Sequence, residues 1–179
     1  MKTPYALFAQ MLEYPTSHLF EQVEVSLHLF DRVEMKDLLT SFCNWVDKTP
    51  LEEMEETYTS TFDLKPVCYP YLGYQFFGES YKRGAFMAKL KEEYQREGFS
   101  EGNELPDHMA VVLRFLSVLQ DEERCNVLIK DGLIPVLNKM RGFFKDGENP
   151  YSHVIDALFL FLNGVSNPVP EDEPVKGGV

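Results

Sequence analysis

The chain has 179 residues, 44% of them hydrophobic and 26% charged, with a formal net charge of −12 and a pI near 4.7. This is enough for one domain with a sizeable core and too little for two. So acidic a surface repels nucleic-acid backbones and anionic lipid and attracts basic peptides, which disfavours nucleic acid as a partner.

In chain order, nearly every segment reads as helix. Thr3-Pro4 opens the first, a capping hydroxyl followed by proline at the first helical position, and it runs to about Glu13 before Tyr14-Pro15. A second is expected from about Ser17 to Phe30 and a third from about Glu34 to Lys48. Thr49 and Glu52 have capping-box spacing and predict a fourth helix reaching about Phe62. The segment Asp63 to Gly73 carries Pro66, Pro70 and Gly73 and is irregular, yet Tyr69, Tyr71, Tyr74, Phe76 and Phe77 make it too aromatic for a solvated linker. A long helix is expected from about Phe77 to Gly98, with Tyr81, Phe86, Met87, Leu90 and Tyr94 on its apolar side. Its Lys82, Lys89 and Arg96 form a basic stripe, and Glu79–Arg83 and Glu92–Arg96 have helix-pairing spacing.

From Pro106 to Gln120 the pattern is apolar almost all round, which predicts a central buried helix with a narrow polar strip of Asp107, Arg114, Ser117 and Asp121. Two shorter runs follow, about Glu122 to Lys130 and Ile134 to Phe144, split by Gly132. Asn149-Pro150 starts the last helix, ending near Asn163-Gly164. The expected fold is all-α: a single bundle of about eight or nine helices over residues 1–166, followed by a flexible acidic Pro/Gly-containing tail, 167–179.

Cys43, Cys68 and Cys125 are odd in number and lack C-x-x-C spacing, as suits reduced thiols of a cytosolic protein. The stretch Met1 to Tyr14 has no secretory pattern, and the apolar run Ala157 to Leu162 is far shorter than the ~20 residues that cross a bilayer. A cytoplasmic location without direct membrane insertion is the expectation. No Walker or G-x-G-x-x-G loop occurs, and His18, His28 and His153 lack metal-ligand spacing.

Three clusters could carry function. Glu104-Leu105-Pro106-Asp107-His108 packs three ionisable side chains and a proline between a loop and the most apolar helix. It reads as a helix start, with Asp107 in the first turn, or as the lip of a polar pocket that holds a cation or an anion. The aromatic block Tyr69 to Phe77 reads as core or as the wall of a groove for an amphipathic peptide. The acidic run Glu52 to Glu56 reads as a helix first turn or as a docking patch for a basic peptide.

Four stretches together resemble one family: Leu12-Glu13-Tyr14-Pro15, Tyr58 to Asp63, Tyr71 to Gly84, and Glu104 to His108 with the helix after it. The sequence is similar to the NarJ-type chaperones that assemble molybdenum-cofactor nitrate reductase, within the TorD/DmsD/NarJ redox-enzyme maturation group. The resemblance implies an all-helical chaperone without catalysis. It would hold the N-terminal segment of an apo molybdoenzyme catalytic subunit until the cofactor is inserted, before membrane attachment or export. It also implies no permanently bound cofactor, only transient contact with the client's molybdenum cofactor, and a monomer or domain-swapped dimer. The group's Glu-x-Pro-x-Asp-His hinge matches Glu104, Pro106, Asp107 and His108, except that Asp107 follows Pro106 directly here. The expected peptide-binding set is Tyr71, Tyr74, Phe77, Tyr81, Glu104, Pro106, Asp107, His108 and Arg114, with Glu104 and Asp107 gripping an Arg or Lys of the client. Two other classes compete: a general helical adaptor with no molybdoenzyme client, and a small hydrolase or metal enzyme built on Glu104, Asp107 and His108.

Overall fold

The computed structural model describes residues 4–144 and 148–166, so Thr3 and the tail 167–179 lie outside the described residues. The described chain is all-α, as its hydrophobic periodicity predicts. Its segments are α1 (Pro4–Met11), α2 (Leu19–Leu27), α3 (Val33–Lys48), α4 (Leu51–Tyr58), α5 (Leu72–Phe77), α6 (Tyr81–Arg96), α7 (Met109–Leu116), α8 (Glu122–Val127), α9 (Ile134–Arg141) and α10 (Tyr151–Ser166). A π-turn, Leu128–Leu133, joins α8 to α9 without a break, so these ten segments make nine rods among the described residues. Gly132, expected to split that run, lies inside the π-turn.

Helix α7 is central because its sequence leaves no polar face: every residue but Arg114 is buried. Burying its six larger aliphatic or aromatic side chains, Met109, Val111, Val112, Leu113, Phe115 and Leu116, amounts to on the order of 10 kcal/mol of gross transfer free energy before chain entropy opposes it. Helix α1 packs on α7, α2 joins α1 to α3, and α10 lies between α3 and α9. An aromatic cluster of Phe42, Trp45, Tyr58, Phe62 and Tyr151 ties α3, α4 and α10 together.

Local chemistry moves several boundaries. Thr49 does not cap α4: its hydroxyl donates back to the Trp45 carbonyl at 2.6 Å and closes α3 instead. Helix α4 runs directly into a π-turn, Thr59–Asp63, which buries Thr61 and Phe62 and leaves Asp63 at its end. The long helix expected from Phe77 begins only at Tyr81, because Gly78 adopts φ 61° and breaks the chain after α5. Helix α6 buries only Leu90 and Tyr94 of its length. Tyr81, expected on the apolar side, is 93% exposed, because it occupies the first turn, where Arg83 and not Tyr81 points inward. Arg83 leaves Glu79 for Asp107, and Arg96 pairs with Glu93 at 2.5 Å where Glu92 was expected. Lys82, Lys89 and Arg96 do line a solvent face. Among the described residues no helix is long and apolar enough to cross a membrane, and Cys43, Cys68 and Cys125 are free thiols.

Candidate functional site

The Glu104–His108 stretch precedes α7 and does not form its first turn. Pro106 and Asp107 fall in a turn closed by the His108 N–H donating to the Leu105 carbonyl at 3.0 Å. His108 is the N-cap of α7, and its Nδ1 accepts from the Ala110 N–H at 3.2 Å. The ring is only 4% exposed. Burial pushes its pKa down to about 4, against the opposing pull of Glu104 and Asp107. A neutral imidazole resolves the conflict between a histidine and the positive end of a helix dipole.

This turn is pinned to the start of α5. The Leu72 N–H donates to the Asp107 carbonyl at 2.8 Å and the Met109 N–H to the Pro70 carbonyl at 2.6 Å, forming an isolated antiparallel bridge between Tyr71 and His108. Tyr94 adds a buried hydroxyl that donates to the Pro106 carbonyl at 2.7 Å.

Asp107 was expected to face a client, but its side chain is 0% exposed. Its two oxygens accept from Arg83 of α6 at 2.8 Å (Nε to Oδ2) and 3.2 Å (Nη2 to Oδ1). This fork-on-fork pair is why the sequence needs Gly73. A Cβ there would sit 2.8 Å from Asp107 Oδ2 and 2.9 Å from Phe86 Cδ1. The Arg83 guanidinium carbon lies 5.1 Å from the Tyr71 ring centroid and 5.8 Å from that of Tyr74, within cation–π range. Tyr71 meets His108 edge-on with centroids 5.1 Å apart. The tyrosine therefore stands between the ion pair and the imidazole.

In front of His108 lies a cavity of about 440 Å3. Glu13 and Tyr14 reach it from the end of α1, Tyr58 and Asp63 from α4 and its π-turn, and Tyr71 from the start of α5. The loop 101–104 contributes Glu101 and Glu104, and α7 supplies His108, Ala110, Val111 and Arg114. Four carboxylates thus face one guanidinium. Arg114 is engaged, 3.4 Å from Glu13 Oε1 and donating from Nη2 to the Glu101 carbonyl at 3.0 Å, so it staples α1 and the loop to α7. Glu104 Oε1 accepts from the Leu105 N–H at 2.8 Å and from the Tyr71 hydroxyl at 3.2 Å. Burial and then the Glu104 charge hold the Asp63 carboxyl above its usual range and push Tyr71 up to about 12.

Of the nine expected residues, Tyr71, Glu104, His108 and Arg114 line this cavity. Pro106 and Asp107 lie behind its wall, buried. Tyr74 is half-buried beneath Arg83, while Phe77 and Tyr81 are exposed at the α5–α6 junction and do not line it. Glu13, Tyr14, Tyr58 and Asp63 were not among the nine. They belong to the Leu12–Pro15 and Tyr58–Asp63 stretches that carry the resemblance, and that was the signal for them.

The fold superposes on a crystal structure from Archaeoglobus fulgidus, described as that of a putative redox enzyme maturation protein, with a TM-score of 0.65 at 21% identity, over 89% of this chain and 91% of the other. The chain belongs to the nitrate reductase delta subunit family, whose model matches residues 31–156. It is 32% identical over 160 residues to NarW of Escherichia coli K12, named as a probable nitrate reductase molybdenum cofactor assembly chaperone. It is 27% identical over 171 residues to the assembly chaperone NarJ of the same strain. These alignments cover 87% and 88% of this chain, which spans 66% and 68% of the relatives' lengths.

Proposed function

We propose that this chain is a system-specific assembly chaperone. It binds the N-terminal segment of the apo catalytic subunit of a molybdoenzyme, nitrate reductase or a related oxidoreductase, and keeps it competent for molybdenum cofactor insertion before membrane attachment or export. It performs no covalent chemistry. The cofactor is the client's cargo and touches the chaperone only in passing, in the cytoplasm.

One observation carries this reading. The four stretches that resemble the NarJ-type chaperones are far apart in sequence, yet each contributes residues to one acidic, tyrosine-walled cavity: Glu13 and Tyr14, Tyr58 and Asp63, Tyr71, and Glu104 and His108. A pocket with excess carboxylate in a chain of net charge −12 suits a cationic peptide segment. In this arrangement Tyr71, Glu104 and His108 contact the client. Arg114 sets the spacing of the cavity walls, and the Arg83–Asp107 pair with Pro106 holds Tyr71 and His108 in place. The exposed Phe77 and Tyr81, with Tyr74 beside them, extend an aromatic surface for the rest of a client helix.

The test is calorimetric titration with a peptide of the first fifteen residues of the host's nitrate reductase catalytic subunit. Glu104→Gln and Tyr71→Ala are expected to weaken binding about tenfold or more. Unchanged affinity in both removes the cavity from the mechanism. Absence of binding to the unmodified chain removes the function.

A further inference from the structure

The cavity contains unmet hydrogen-bonding groups of both signs. Because His108 Nδ1 accepts from the Ala110 N–H, the neutral ring carries its proton on Nε2. That N–H makes no hydrogen bond among the described residues, and it is not sealed inside the protein: the residue is 4% exposed and lines the cavity, so the N–H opens into it. The same cavity is lined by unmet acceptors. Among the described residues the Asp63 carboxylate makes no hydrogen bond or ion pair, and Glu104 accepts only at Oε1, so its Oε2 is unpaired. Tyr71 ties the two sides together, its hydroxyl on Glu104 and its ring edge-on to His108. Among the described residues no three of His, Cys, Asp and Glu converge to hold a metal ion, so the complement to these carboxylates is an organic cation.

The ligand must supply a cation to Asp63 and Glu104 and an acceptor oxygen to His108 within one small cavity. An anion would satisfy His108 but meet the carboxylates. A lysine or arginine side chain would satisfy the carboxylates, but its charge lies roughly 6 Å or more from its own carbonyl, so one such residue does not pair the carboxylates and the His108 N–H together. A chain terminus is the compact alternative, since its ammonium nitrogen and first carbonyl oxygen are roughly 3 Å apart. We propose that this pocket binds the free α-ammonium end of a polypeptide, with Asp63 and Glu104 around the ammonium group and the first carbonyl accepting from His108 Nε2. The inference rests on the chaperone reading above and gives it a polarity: the client enters terminus first, and an internal basic side chain does not substitute for the terminus.

The fifteen-residue peptide is compared in three forms: with a free amine, N-acetylated, and with a free amine but every internal Lys and Arg replaced by Gln. Acetylation is expected to weaken binding at least about tenfold, while the Gln peptide loses less than about threefold. In Asp63→Asn/Glu104→Gln protein, both exposed rim positions, the free and acetylated forms should bind alike. The His108 Nε2 proton resonance should move downfield with the free-amine peptide only. Equal affinity of the free and acetylated peptides for the unmodified protein overturns the proposal and leaves the chaperone reading standing, and so does an unmoved His108 resonance. Failure of every form to bind defeats the chaperone reading and the inference together.

Discussion

Removing one partner of the Arg83–Asp107 pair should destabilise the fold unequally. Asp107 is 0% exposed and Arg83 17%. Arg83→Met strands a carboxylate with no route to water, for which about 4 kcal/mol is expected. Asp107→Asn strands a guanidinium that still reaches solvent and keeps one acceptor, for which about 2 kcal/mol is expected. Leaving neither charge buried, Arg83→Met/Asp107→Leu should recover most of the larger loss. In a chain of 179 residues these values correspond to melting-temperature shifts of about 8–16 °C and 4–8 °C. Urea unfolding followed by circular dichroism, with m-values compared, gives the free energies directly. If Asp107→Asn costs as much as Arg83→Met, or if the double variant is as unstable as the sum of its parts, burial does not govern this pair.

Gly73→Ala should cost about 1–3 kcal/mol in the same assay, because its Cβ would lie 2.8 Å from Asp107 Oδ2 and 2.9 Å from a Phe86 ring carbon. Tyr94→Phe should cost about 1–2 kcal/mol by leaving the Pro106 carbonyl, which accepts from the Tyr94 hydroxyl at 2.7 Å, without its donor. His108 is depressed to about 4 in the fold by burial, so its contribution is fully present above the unfolded value of about 6.5 and is lost as pH falls towards 4. Urea midpoints of His108→Asn, which keeps a capping side chain, should therefore fall less steeply than those of the unmodified protein between pH 6.5 and 4.

Much of this was legible in the residues. The unbroken apolar pattern of Met109 to Leu116 identified the central helix, and proline and glycine placed most element ends within a few residues. The site was only half legible. Arg83 sat at helix-pairing distance from Glu79 in sequence, and nothing local revealed that Asp107, twenty-four positions on, would be brought beside it without solvent access. Periodicity put Tyr81 inward because it assumed a helix continuous from Phe77, and the positive φ at Gly78 resets that phase. Thr49 had a capping partner on either side, and the spacing to Glu52 could not show that the Trp45 carbonyl would win. Glu13 and Asp63 gain their meaning only when the ends of α1 and α4 meet α7, a tertiary fact that no window of sequence contains.

The bridge between Tyr71 and His108 separates two jobs that binding sites often entangle. Main-chain hydrogen bonds at Leu72 and Met109 hold the wall, whereas the charged groups at its mouth, Asp63 and Glu104, are exposed side chains with little packing. Exchanging those rim residues therefore carries a small folding cost, so the charge at the cavity mouth can change while the scaffold behind it stays fixed.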